Sequence, residues 1–209
     1  MLAIFKREFK SYFQNVIGWL FVAALLAVYG LYFYVYNLKN GYPYISYDLK
    51  GIGFIMMIAV PILTMRSLSD EKKTKTDQLM LTSPVSVGRI VAGKYFAMAA
   101  VYTIDIALFA LSPLVLSIYG KVALSEAYVA LFGYWLYGLS CIAVGLFISS
   151  ISESVIISAI LTFAALFLSY MMQSITGLIS SSGNLLTKVL NCFDLYTPFE
   201  NFVSGCFSV

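Results

Sequence analysis

Five long apolar runs, near residues 17–37, 51–66, 95–118, 127–149 and 155–176, leave this chain few ways to fold. A membrane-spanning helix needs roughly 20 mostly apolar residues, because lipid offers the backbone no hydrogen bonds and a helix makes its own. The rest of the 209 residues agrees: 61% are hydrophobic and 11% charged, where a soluble domain carries about 25% charge. The expected fold is all-α, a polytopic membrane helix bundle with five spanning helices. The second run is short, since Gly51 to Met65 covers only about 22 Å against a hydrocarbon core of about 30 Å. Extension through Tyr47 to Lys50, tilt, or shielding by neighbours would each make up the difference, and Pro61 predicts a kink near its end. The first run closes on Tyr29, Tyr32, Tyr34 and Tyr36, a pattern suited to a membrane interface. The fourth holds Gly133, Gly138 and Gly145, small residues that let helices approach closely.

Lysine and arginine orient the runs. Lys6, Arg7 and Lys10 precede the first, and Arg66, Lys72, Lys73, Lys75, Arg89 and Lys94 lie between the second and third, so nine of 13 basic residues fall on one side. The positive-inside rule then places the N-terminus and the 66–94 loop in the cytoplasm and the stretch after Thr176 outside. Leu2, Ile4, Phe5, Phe9, Tyr12 and Phe13 recur at short helical intervals around the first basic cluster. This predicts an amphipathic surface helix ahead of the first span, with a plain cytoplasmic start to that span as the alternative. The opening basic region leads into about twenty apolar residues without a small-residue cleavage site, and reads as an anchor, not a cleaved signal.

The densest polar stretch is Arg66-Ser-Leu-Ser-Asp-Glu-Lys-Lys-Thr-Lys-Thr-Asp77, which holds seven of the chain's 23 formal charges. Near its end, Thr76 can cap a short helix that shows Leu79 and Met80 on one face and is stopped by Pro84. Such a helix suits insertion into a partner's groove; a solvated hairpin that only supplies orienting charge is the equal alternative. Gly88-Arg-Ile-Val-Ala-Gly-Lys94-Tyr95 matches seven positions of a phosphate-binding loop but fails at the eighth, where Tyr95 cannot supply the small hydroxyl that holds magnesium. Lys94 reads instead as orienting charge at a membrane boundary.

Pro61-Ile-Leu-Thr-Met-Arg66, Asp70-Glu-Lys-Lys73, Thr76-Asp-Gln-Leu79, Thr82-Ser-Pro-Val-Ser86 and Gly93-Lys-Tyr95, in that order, resemble the permease subunits of ABC-2 type transporters. The likeness is greatest to the gliding-motility and copper-resistance branch of bacterial permeases. It extends to the amphipathic start, the helix spacing, and the Phe193-Asp194 to Phe202 region. The resemblance implies an N-terminal elbow helix and a cytoplasmic coupling helix that docks on a separate ABC ATPase subunit, with Arg66, Asp70, Glu71, Thr76, Leu79, Met80 and Pro84 in the coupling loop. It also implies a second permease subunit, identical or not, and a multi-pass location in the bacterial cytoplasmic membrane. The chain departs from the pattern at Lys75, where the family usually has glycine, and at Asp77-Gln78. The family has six spanning helices; this chain ends at Gly205-Cys-Phe-Ser-Val209, where the sixth would begin, and truncation is the expectation for what is otherwise a single transmembrane domain over 1–209.

Other chemistry is sparse. There is no histidine, which removes the commonest general base and zinc ligand. Cys141 lies in an apolar run and reads as a buried small hydrophobe, while Cys192 and Cys206 lack metal-ligand spacing and could pair only in an oxidising compartment. No cofactor, metal or nucleic-acid partner is expected. Asp105 lies well inside the third run and admits three readings: a carboxyl satisfied by Tyr102, Thr103 or another helix's tyrosine, the lining of a polar cavity, or a proton relay. Glu153, in the Ser149–Ser154 link, is either a second ATPase contact or part of a solvated turn. The Ser-rich and aromatic segment from Gly177 onward predicts short helices on the outer surface, with an outer gate as one role.

The function these readings support is a non-enzymatic permease of an ATP-driven exporter, paired with another permease and powered by a partner's ATPase. The alternatives are a structural or regulatory membrane subunit, and an integral lipid-modifying enzyme. The last would need an acid cluster or a nucleophile with its base at one depth, and Asp105 and Glu153 lie at different depths.

Overall fold

The computed structural model describes residues 2–75, 86–119, 122–179 and 194–203. Among them every regular element is helical. Helix α1 (Leu2–Gln14) ends at Asn15, whose extended backbone breaks the chain before α2 (Val16–Phe33). α2 runs on into a wider π turn, Tyr34–Lys39. α3 (Ser46–Thr64) is followed by the one-turn α4 (Ser69–Lys73), then α5 (Val87–Phe109), α6 (Ser112–Tyr119), α7 (Leu124–Ile151), α8 (Val155–Ile179) and α9 (Tyr196–Val203). Five segments are long and apolar enough to cross a membrane: Val16–Lys39, Ser46–Lys73, Val87–Tyr119, Leu124–Ile151 and Val155–Met172. All five expected spans are present, and the short second one is extended backward to Ser46.

The bundle forms around α3. Its residues Leu49, Ile52, Met56, Val60 and Leu63, spaced three and four apart, are all fully buried against α2, α7 and α8. The glycines of α7 make that approach possible. A side chain at Gly145 would press on Thr64 of α3, one at Gly138 on the Tyr102 ring of α5, and one at Gly133 on Phe202 of α9. Cys141 is a buried free thiol between these contacts.

α1 is a separate helix, as its periodicity predicts. Phe5, Phe9 and Phe13 stack along it, with Phe13 edge-on to Trp19 of α2 at 5.4 Å, and the Trp19 indole donates to the Phe13 carbonyl at 2.9 Å. Phe9, Tyr12 and Phe13 pack on the core, while Lys6, Arg7 and Lys10 remain exposed. We call the end holding α1, α4 and the start of α5 the basic end. At the far end, Asp194 caps α9 by accepting from the Tyr196 and Thr197 amides at 3.0 and 2.9 Å. α9 then lays Tyr196 and Phe199 on Tyr137 and Tyr170, and Glu200 pairs with Lys50 at 3.2 Å. Burial, reinforced by Tyr170 and Glu200, pushes the Tyr196 phenol up to about 12, so it stays a neutral hydroxyl. One short helix of the expected outer segment is thus in place; its Ser-rich portion, Cys192 and Cys206 lie outside the described residues. Tyr29 departs from the interfacial ring predicted for it. It is buried and stacks on Phe109 with centroids 4.1 Å apart, because its position shares a face with Val22 and Leu25.

Candidate functional site

After Thr64 the chain turns sharply, the Ser67 amide returning to the Thr64 carbonyl at 3.0 Å. α4 then places Asp70 and Glu71 at its start and Lys72 and Lys73 at its end, the order its dipole favours. This turn is held from α7: the Ser149 hydroxyl accepts from the Leu68 and Ser69 amides, each at 3.2 Å, and Lys72 donates to the Ser150 carbonyl. The coupling segment and the Ser149–Ser154 link, read separately in the sequence, therefore meet. Glu153 is exposed on that link.

The centre of the site is Lys94. Its ammonium lies 2.6 Å from Glu71 of α4 and 3.5 Å from Glu8 of α1, and it donates to the Ser67 carbonyl at 2.8 Å. The Lys94 side chain is 2% exposed. Arg7 pairs with the outer side of Glu8 at 3.0 Å, so charge alternates along Arg7, Glu8, Lys94 and Glu71 and sums to zero. A buried ammonium is tolerable only when paired and hydrogen-bonded in this way. Gly88 and Gly93 lie on α5, so Lys94 projects from a continuous helix instead of a phosphate-cradling loop. Lys94, read in the sequence as orienting charge, also makes a tertiary contact among three elements.

A cleft of about 290 Å³ opens beside this clasp, bordered by Tyr12 and Ser11 of α1 and by Arg66, Asp70 and Thr74. Burial and the neighbouring Glu8 push the Tyr12 phenol well above its ordinary range, so it faces the cleft as a neutral hydroxyl. Arg66 and Asp70 are exposed at the cleft, whereas Glu71 turns inward to Lys94. Thr76, Leu79, Met80 and Pro84 lie outside the described residues. Asp105 is elsewhere, eleven residues past Lys94 on α5 and about 16 Å along its axis. The hydroxyls expected to satisfy it are engaged elsewhere: Tyr102 donates to the Tyr134 carbonyl and Thr103 to the Ala99 carbonyl, both at 2.7 Å.

Two participants, Glu8 and Ser149, had no signal of their own in the sequence. Glu8 is the lone acid in a basic helix, which is the trace that could have marked it. Lys75 shows φ 56°, the left-handed backbone that glycine favours. Thus the turn retains glycine-type geometry although lysine stands where the resemblance has glycine. Lys75→Gly is expected to stabilise the protein by about 1 kcal/mol through loss of the Cβ clash, seen as a small rise in melting temperature; a fall would show that the lysine side chain matters more than its backbone.

A bundle of five membrane-length helices, carrying a charged clasp and a docked surface helix at its basic end, defines a multi-pass membrane protein. The family model of ABC-2 family transporter proteins matches residues 29–204, and the chain belongs to that family. It is a membrane component of an ABC-2 transporter, a family that works with an ABC ATPase and is generally not itself enzymatic. No curated protein matches the chain significantly. The family match begins beyond α1, so Glu8 and its helix enter the site through the structure alone.

Proposed function

We propose that this chain is the permease half of an ATP-driven ABC-2 exporter of the gliding-motility and copper-resistance branch. In this reading it forms one transmembrane domain in the bacterial plasma membrane, with the N-terminus and the basic end in the cytoplasm. It pairs with a second permease, and a separate ATPase docks on Arg66, Asp70 and the segment through Thr76, Leu79, Met80 and Pro84, with Glu153 alongside. The observation that carries this reading is the convergence of α1, α4 and α5 on Lys94. A push on the loop cannot be absorbed locally, because Glu71 and Ser67 tie it to α5 and Glu8 ties α5 to the surface helix. The substrate-carrying helices would then move with the loop as the ATPase closes.

Glu71 holds Lys94, so it is the wrong position at which to test docking; the exposed Arg66 and Asp70 are the right ones. Tagged protein purified from its native membrane is expected to bring down a soluble ATPase carrying a phosphate-binding loop. Arg66→Glu with Asp70→Lys and Leu79→Asp is expected to lose it, at unchanged abundance and melting temperature. Equal recovery with the variant would place docking elsewhere. Absence of any ATPase with the intact protein would favour a structural or regulatory subunit.

A further inference from the structure

The third spanning segment keeps a carboxyl in the middle of the bundle. Asp105 and its helical neighbours Val101, Tyr102 and Phe109 are all 0% exposed, so this face of α5 is turned into the protein. The seam it enters is formed with α2, where Phe109 stacks on Tyr29, and with α7, where Tyr102 bonds the Tyr134 carbonyl. It is tightly closed, since a side chain at Gly138 would overlap the Tyr102 ring. Yet among the described residues neither carboxyl oxygen of Asp105 has a hydrogen-bond partner, and the buried Tyr134 hydroxyl has none either.

A second buried acid lies toward the far end. Asp48, 0% exposed in the first turn of α3, accepts from the Asn37 side chain of the π turn through one oxygen, and its other oxygen has no partner. Past the end of α5 the Ser112 hydroxyl bonds that of Tyr29 on α2.

Counter-charge is missing from this seam among the described residues. The titratable groups at it among the described residues are Tyr102 of α5 itself, Tyr29 from α2, and Tyr134, Tyr137 and Cys141 from α7, all ordinarily neutral. α1 brings Glu8 and Tyr12 only to the basic end, where Lys94 is already committed; at the far end Lys50 pairs with Glu200. A carboxylate without cation or hydrogen-bond donor is among the costliest groups to bury, whereas the protonated acid is neutral and can itself donate. A proton is also the ligand that needs no added room in a closed seam.

We propose that Asp105 is a proton-binding site inside the bundle, occupied while the α2–α5–α7 seam is closed. Opening the seam lets water reach the acid. The carboxyl O–H bond then breaks, its electron pair stays on oxygen, and the proton passes to the entering water. This proposal does not rest on the transport reading.

The test is infrared spectroscopy of the full chain in lipid nanodiscs, at neutral pH and in H₂O and D₂O. A protonated-carboxyl stretch that resists deuterium exchange is expected in the wild type, absent from Asp105→Asn and still present in Asp48→Asn. Asparagine matches the shape of the neutral acid, so this variant is expected to fold. Identical carboxyl bands in wild type and Asp105→Asn would overturn the proposal. Should that variant not fold, wild-type protein labelled with ¹³C-aspartate decides: no protonated aspartyl band at neutral pH overturns it. A further readout is melting temperature against pH. The closed state binds the proton, so wild-type stability falls as pH rises above the ordinary carboxylate range, and the Asp105→Asn curve lacks that fall; parallel curves would count against the site.

Discussion

Lys94→Met is expected to destabilise the protein by on the order of 3 kcal/mol, because it removes the ammonium that joins two carboxylates the fold holds mostly out of water. Methionine keeps most of the side chain's length, so the loss is mainly electrostatic. Glu71 and Glu8 would remain, partly buried, without the ammonium that joined them. Thermal unfolding followed by tryptophan fluorescence in detergent with added lipid measures this directly. Adding Glu71→Gln to Lys94→Met is expected to restore part of the stability, since the remaining Glu8 still has Arg7 at 3.0 Å. An unchanged melting temperature for Lys94→Met would show that the clasp carries no weight in the folded protein. Because α1, α4 and α5 all meet at this side chain, the same variant is also expected to uncouple any ATPase bound at the loop before the protein unfolds.

Gly145→Ala and Gly138→Ala are expected to cost about 2 kcal/mol each, the range typical of forcing atoms into a packed core. At Gly145 the added carbon would sit 2.5 Å from the Thr64 hydroxyl, which is itself committed to the Val60 carbonyl at 3.0 Å. At Gly138 it would displace the Tyr102 ring, whose hydroxyl is anchored to the Tyr134 carbonyl. Neither neighbour is the free end of a flexible chain, so helix separation must change. Gly30→Ala on α2 is the matched control, since nothing lies near its added carbon. It is expected to be neutral or slightly stabilising through helix propensity. The comparison is made by melting temperature and by the monodisperse fraction on size exclusion. Equal behaviour of all three variants would mean that α7 does not pack on α3 and α5 as described.

Much of the architecture was legible in the residues themselves. Span number and approximate limits follow from run length, because a bilayer of fixed thickness and an obligatory backbone hydrogen-bond pattern leave one solution for a chain this apolar. The detached α1 follows from its periodicity, and the close approaches of α7 from Gly133, Gly138 and Gly145. The ABC-2 family was legible too, in the order of short motifs from Pro61 to Tyr95. Which way each spanning helix turns was not. A helix apolar nearly all round carries little record of its inner face, since lipid and protein interior accept the same side chains. Tyr29 therefore reads as interfacial and proves to be core.

What only the tertiary structure decided is which distant charges meet. Glu8, Glu71 and Lys94 stand 63 and 23 positions apart in sequence, and each alone is an ordinary charge near a membrane boundary. Packing of α1 across α5, with α4 beside them, joins them and Arg7 into one charge-balanced cluster around the buried Lys94. In the same way the π turn carries Asn37 to Asp48, and the α5–α7 contact encloses Asp105 without a partner among the described residues. Composition and periodicity determine where each charge lies along its own helix. Only the crossing of helices determines what it faces, and the energy of a buried charge depends almost wholly on that neighbour.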